Sequence, residues 1–122
     1  MRRVIPGAQT ASGRPISGAV IANGFAFVSG QSFVEGADVE AQTRGVIDKI
    51  ALLLTEAGTD LAHAVRCTVY MSDLTLRDRM SAVYREYFPT EFPARAVVGC
   101  DLGSPECLLE IECTAVLPDA SE

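Results

Sequence analysis

Two segments of the chain show the three- and four-residue spacing of amphipathic helices. The longer begins at Val39 and ends before Gly58, a residue type that commonly terminates helices in a left-handed conformation. The second covers "LTLRDRMSAVYREYF" and ends before Pro89, which has no amide hydrogen to continue a helix. The regularly spaced positions predict a buried face on each helix: Thr43, Val46, Ile47, Ile50, Leu53, Leu54 and Ala57 on the first, and Leu76, Met80, Val83, Tyr84 and Tyr87 on the second.

Alternating apolar and polar residues predict strands around these helices. "SGAVIANGFAFVSGQ" reads as two strands joined at Asn23-Gly24, the dipeptide favoured in two-residue hairpin turns. "HAVRCTVYMSD" lies between the helices, and residues 93–100 and "CLLEIECTAVLP" follow the second helix. The order β-β-α-β-α-β-β predicts one α+β sandwich domain over residues 1–122, with two helices on one face of a mixed sheet.

The other face of such a sheet would remain uncovered by helices. On the last strand one side is wholly apolar, whereas the other mixes apolar, hydroxyl and acidic side chains: Leu108, Glu110, Glu112, Thr114 and Val116. We interpret this mixed face as a subunit interface rather than a face fully exposed to water.

Composition excludes several classes of function. The 122-residue chain has a formal charge of −6 and no basic stripe, which disfavours nucleic-acid binding. It contains no uninterrupted stretch of about 18 apolar residues, so we expect no membrane span, and its N-terminus lacks the apolar segment of a signal peptide, so we expect a cytoplasmic protein. The four cysteines form no C-x-x-C pair and His63 is the sole histidine, which argues against a zinc site and a histidine-based nucleophile system.

Arg95 is the exception in the otherwise apolar strand "FPARAVVGC". Glu110 lies on the following strand, and the short connection between them predicts neighbouring strands. Two interpretations follow. The pair is either an ion pair across the sheet, which spacing alone favours, or a carboxylate-binding arginine beside a carboxylate that positions water. The planar guanidinium suits the second role because it donates two parallel hydrogen bonds to a carboxylate.

The segments "FVSGQ", "AQTRGVIDKIALLLTEAG", "FPAR" and "LLEIECTAV", in this order, resemble the Rid (YjgF or L-PSP) family of reactive-intermediate deaminases from Pro15 to Pro118. The resemblance favours the functional interpretation of the pair. It implies a chorismate-mutase-like fold, a homotrimer with clefts between subunits, and hydrolysis of enamines and imines such as 2-aminoacrylate. The products would be 2-oxo acids and ammonia, with no metal or organic cofactor.

The resemblance also assigns roles to individual residues. Arg95 would grip the substrate carboxylate, and Glu110 would position the attacking water. Ser29 and Gly30 would line the cleft through backbone and hydroxyl, and Val97 would contribute its backbone carbonyl.

The chain departs from the family pattern at further cleft positions. Ile16 replaces a tyrosine, Ser81 replaces an asparagine on the second helix, and Val97 replaces a cysteine. These changes bear on the identity of the substrate and leave the Arg95 and Glu110 pair intact.

Two other functions remain open at this stage. One is non-catalytic binding of small carboxylates such as 2-oxo acids, for which Arg95 suffices but Glu110 is not needed. The other is the endoribonuclease or translation-inhibitor activity attached to parts of the family, which the charge of −6 disfavours.

Overall fold

A computed structural model describes residues 2–118; the remainder of the predicted domain, Met1 and 119–122, lies outside this range. Six strands form one sheet in the order β1-β2-β3-β6-β4-β5. All neighbouring pairs are antiparallel except β4 and β5. The elements are β1 (Arg2–Ile5), α1 (Ala8–Ala11), β2 (Ala19–Ala22), β3 (Phe25–Gln31), α2 (Val39–Ala57), β4 (Ala64–Met71), α3 (Arg77–Tyr87), β5 (Ala94–Gly99) and β6 (Leu109–Val116).

The predicted α+β architecture is confirmed, with α2 and α3 packed on one face of the mixed sheet. The Asp38 side chain accepts a hydrogen bond from the Ala41 amide at 2.8 Å and caps the start of α2. Gly58 ends that helix with φ of 92°. Asn23 and Gly24 both have positive φ, as the predicted tight hairpin requires.

The core lies between the two long helices and the sheet. The α2 positions predicted from periodicity are all buried, as are Met80, Val83 and Tyr84 of α3, whereas Leu76 and Tyr87 are partly exposed. Every second residue of β6 from Leu109 to Ala115 is buried against the helices.

The structure contains two elements that the hydrophobic pattern did not predict, β1 and α1. Strand β1 pairs with β2 through its backbone, and only Ile5 of its side chains is buried. An edge strand held in this way needs no alternation of apolar residues, so periodicity cannot reveal it.

The prediction that the strands of Arg95 and Glu110 are neighbours is wrong. Strand β4 lies between β5 and β6, pairing parallel with the first and antiparallel with the second. The connection 100–108 needs to cross only two strand spacings, roughly 10 Å, which several extended residues span easily. A short connection therefore limits the distance between two strands without making them adjacent.

The sheet face away from the helices carries exposed apolar side chains. Phe27 of β3 is 46% exposed and Val98 of β5 is 41% exposed. Between them, the Tyr70 hydroxyl donates a 2.8 Å hydrogen bond to Glu112. Within residues 2–118, no helix combines the length and apolar character that crossing a bilayer demands.

Candidate active site

Arg95 projects from β5 toward the helical face of the sheet. Its register partner on β4 is Cys67, which is buried. The guanidinium carbon lies 4.9 Å from the centroid of the Tyr84 ring on α3. Among the described residues, the Arg95 guanidinium has no carboxylate partner and no hydrogen bond, so its donors are available to a ligand.

Tyr84 forms a rigid support for this arginine. The tyrosine is 4% exposed, and its ring packs against Phe88 at a centroid distance of 4.7 Å. Burial raises the pKa of the Tyr84 phenol, so the hydroxyl stays neutral at physiological pH and does not cancel the charge of Arg95. The cation–π contact with this buried ring stabilises the position of the guanidinium.

The pocket around Arg95 has a volume of about 230 Å³ and also contains Ser81. Ser81 and Arg95, two of the residues predicted for the site, therefore line one pocket. The other lining residues are Tyr84, Arg85, Phe92 and Pro93, with the Arg85 guanidinium 5.1 Å from the Phe92 ring centroid. Val97 follows on the same strand, half-buried against the core beside Val69.

Glu110 lines a second pocket, at the C-terminal end of β3. It alternates with buried Leu109 and Ile111 on β6 and is half-buried. Its carboxylate packs against Gly30: a Cβ built on that glycine would lie 2.8 Å from Oε1 of Glu110. A glycine at position 30 is therefore what allows the carboxylate to lie against the β3 backbone.

The pocket around Glu110 has a volume of about 320 Å³. Two of the residues predicted for the site, Ile16 and Gly30, line it together with the cations Arg14 and Lys49. The Lys49 ammonium is held at the rim by a 2.7 Å hydrogen bond to the Ser32 carbonyl. Sequence reasoning missed both cations because each lies in an ordinary polar position of its segment.

The predicted cleft residue Ser29 lies beside this pocket, outside its lining. Its hydroxyl donates a 2.7 Å hydrogen bond to the Ser17 carbonyl, and its own carbonyl accepts one of 2.9 Å from the Gln31 side chain. These two hydrogen bonds stabilise the segment of β3 that contains Gly30.

Arg95 and Glu110 consequently line two separate pockets of the chain. Their side chains leave the sheet on opposite faces, and β4 lies between their strands. An ion pair between them within one chain is therefore excluded.

A family model described as endoribonuclease L-PSP matches residues 8–117. The chain belongs to this family. A RutC family protein from Pyrococcus abyssi is 38% identical over 109 residues, which cover 83% of this chain and 85% of the relative. The resemblance to the YjgF, L-PSP or Rid family noted from the motifs is thereby confirmed.

Solved structures of family members share the fold of this chain. A YjgF family protein from Neisseria meningitidis superposes with a TM-score of 0.88 at 33% identity, over 98% of each chain. A member of the Rid family from Yersinia pestis gives a TM-score of 0.83 at 29% identity, over 96% of this chain and 100% of that one.

Proposed function

We propose that the protein is a cytoplasmic homotrimer that hydrolyses 2-imino acids and their enamine tautomers to 2-oxo acids and ammonia. The observation that carries the proposal is that Arg95 and Glu110 line two separate pockets of one chain, which we interpret as complementary half-sites. The Arg95 half offers an unpaired, rigidly supported guanidinium, and the Glu110 half offers a carboxylate at a pocket wall. A cleft between neighbouring subunits would join the first half of one with the second half of the next.

The uncovered sheet face supports the oligomer. Phe27 and Val98 are exposed there, on a face that no helix within residues 2–118 covers. Closed cyclic symmetry would bury this face in every subunit at once and leave no open edge of the assembly.

The chemistry follows from the two side chains. Arg95 would hold the substrate carboxylate with two parallel hydrogen bonds and so fix the imine carbon. Glu110 would accept a proton from water as the water oxygen bonds to that carbon. The π electron pair of the carbon–nitrogen double bond moves to nitrogen, which takes up this proton to give a carbinolamine. The hydroxyl proton of the carbinolamine then passes to the amino group, the oxygen forms the carbonyl of the 2-oxo acid, and the carbon–nitrogen bond breaks to release ammonia. Nothing is oxidised or reduced, so the reaction requires no redox partner.

The proposed substrates include 2-iminopropanoate and 2-iminobutanoate, of which the former arises when 2-aminoacrylate tautomerises. The backbone carbonyl of Val97 and the side chain of Ser81 lie on the Arg95 side of the cleft in this proposal. Ile16 lies on the Glu110 side, where it would contact the substrate side chain.

An RNA-cleaving function has one supporting observation, the name of the matching family. The formal charge of −6 opposes it, because association with the phosphate backbone relies on clustered Lys and Arg. Non-catalytic binding of 2-oxo acids would require the Arg95 half-site alone. It would not account for the placement of the Glu110 carboxylate against Gly30.

The deciding experiment measures imine hydrolysis. An amino-acid oxidase generates imines continuously, and the protein should accelerate their disappearance. Arg95→Ala should lose at least about a hundredfold in kcat/KM, and Arg95→Lys should recover little of it, because an ammonium cannot grip a carboxylate in two places. Sedimentation equilibrium should give a trimer for both variants.

Wild-type protein without effect on imine loss would refute the enzyme, and binding of a 2-oxo acid in that case would establish the carboxylate binder. Cleavage of labelled RNA at physiological salt would instead support the nuclease. A monomer mass at micromolar concentration would refute the shared cleft.

A further inference from the structure

The backbone beside Glu110 departs from regular strand pairing. Val28 pairs with Cys113 and Gln31 with Ile111, so β3 uses one residue more than β6 over this stretch. Such a bulge leaves part of the bulged backbone without its ladder partner and commonly re-aims a side chain at a site. Gly30, which supports the Glu110 carboxylate, lies within this bulge.

Gln9 supplies a hydrogen bond to the bulged segment. Its side-chain Nε2 donates to the Gly30 carbonyl at 3.2 Å, from a position twenty-one residues earlier in the chain. The orientation of the amide follows from chemistry, since a carbonyl can only accept. Gln9 is itself held in α1, where its backbone carbonyl accepts hydrogen bonds from the Arg14 amide at 3.0 Å and the Ser12 hydroxyl at 2.9 Å.

The oxygen atom of the Gln9 side-chain amide lowers the stability of the fold. Its Oε1 is buried and has no hydrogen-bond partner among the described residues. An unsatisfied buried acceptor destabilises a fold, and an apolar side chain of similar size would avoid that penalty. What glutamine adds at this position is the donor to Gly30.

We propose that Gln9 is a positioning residue that acts through Glu110. By holding the Gly30 carbonyl, Gln9 fixes the bulge against which the Glu110 carboxylate packs, and so sets where the carboxylate meets the attacking water. The inference rests on the proposed hydrolysis. Gln9 lies in the lining of the Glu110 pocket, and the role inferred for it there is to hold the bulge.

Gln9→Met separates this role from a structural one, because methionine keeps the length and removes the donor. We expect kcat for imine hydrolysis to fall about tenfold while KM stays within about twofold, since the carboxylate grip of Arg95 is untouched. The thermal midpoint should stay within a few degrees of wild type, because removal of the buried unsatisfied oxygen offsets the loss of the donor to the Gly30 carbonyl. Thr55→Ala is the control: it removes a side-chain hydrogen bond to the Ala51 carbonyl within α2, away from Gln9 and Gly30, and should keep wild-type kcat.

A double-mutant cycle with Glu110→Gln tests whether Gln9 affects kcat through Glu110. If Gln9 acts through Glu110, Gln9→Met should cause no further loss of kcat in the Glu110→Gln background. A full tenfold loss in that background, an unchanged kcat in the single variant, or an equal loss in Thr55→Ala would each overturn the inference. Since Glu110→Gln is measured alongside, a strong effect of that change with a neutral Gln9→Met overturns the Gln9 role alone.

Amide hydrogen exchange gives a readout that needs no activity. Gln9→Met should speed exchange at Gly30 and Gln31 by about tenfold and leave the amides of α2 unchanged. Unchanged exchange at the bulge would overturn the inference even if the protein proved not to hydrolyse imines.

Discussion

Glu110 and Gly30 are in direct contact across β6 and β3, so close that a single added methyl group would meet the carboxylate at 2.8 Å from Oε1. The glycine of the "SGQ" segment thus has a steric purpose at this site. Its φ is not in the left-handed region, so alanine is compatible with the backbone there. The contact and the ordinary φ together make Gly30 a selective probe of the placement of Glu110.

Gly30→Ala should give a folded but weakly active protein. The added methyl displaces the Glu110 carboxylate, and we expect kcat to fall at least about thirtyfold with little change in KM. Because alanine restricts the unfolded chain, the free energy of unfolding should stay within about 1 kcal/mol of wild type. Steady-state imine hydrolysis and chemical denaturation measure the two quantities.

The control for this change is Glu110→Asp, which withdraws the carboxylate by one methylene. Combined with Gly30→Ala it should cost much less than the product of the two single losses, since both changes move the same group. Wild-type kcat in Gly30→Ala, or strict additivity in the double variant, would contradict the assigned contact.

Tyr84 provides the second test, because its ring carries Arg95. Tyr84→Leu removes the aromatic face 4.9 Å from the guanidinium carbon, and Arg95 becomes free to reorient. Cation–π contacts contribute about 0.5–2 kcal/mol, so KM should rise by roughly three- to thirtyfold. Tyr84→Phe keeps the ring and should change KM less than about threefold.

The same pair of variants predicts the pH behaviour. The raised pKa of Tyr84 means that the phenol is protonated across the physiological range, so removing the hydroxyl changes no charge near Arg95. The pH profile of kcat/KM between pH 6 and about 9 should therefore be the same in Tyr84→Phe and wild type. A new titration in that range, or an unchanged KM in Tyr84→Leu, would show that Tyr84 does not support Arg95 as described.

How far the sequence predicts this structure depends on what each residue packs against. Apolar residues recur at regular intervals along α2 and β6 because one face of each element is buried against a continuous apolar surface. Their spacing in the sequence therefore predicts both elements correctly. The Gln9 contact has no such signature, since one glutamine in a polar segment reaches one carbonyl. The adjacency of β5 and β6 fails for a different reason: chain order does not determine which strand enters the space between β3 and β4.

The two half-sites also show what motifs alone leave out. The motif order predicts that Arg95 and Glu110 act together, but the two residues project to opposite faces of one sheet. Only the strand order reveals that the proposed shared centre would have to combine residues from two copies of the chain.

The last prediction concerns the substrate side chain and Ile16, which lines the Glu110 pocket. A branched apolar side chain at this position favours binding of aliphatic substrate groups, by roughly 0.8 kcal/mol of binding free energy for each CH2 group that leaves water. Imines derived from leucine or methionine should therefore be hydrolysed with a kcat/KM about tenfold above that of the alanine-derived imine. The oxidase-coupled assay with each amino acid measures this directly.

Ile16→Tyr and Ile16→Val distinguish an effect of the polarity of residue 16 from a general disruption of the pocket. Tyrosine introduces a hydroxyl and should reduce the preference for aliphatic imines to about threefold or less, whereas valine keeps a branched apolar wall and should preserve most of it. Because Ile16 is partly exposed, both variants should keep the thermal midpoint within a few degrees of wild type. Equal rates for all three imines in wild type, or the same preference in Ile16→Tyr, would mean that the side chain of the substrate binds elsewhere in the cleft.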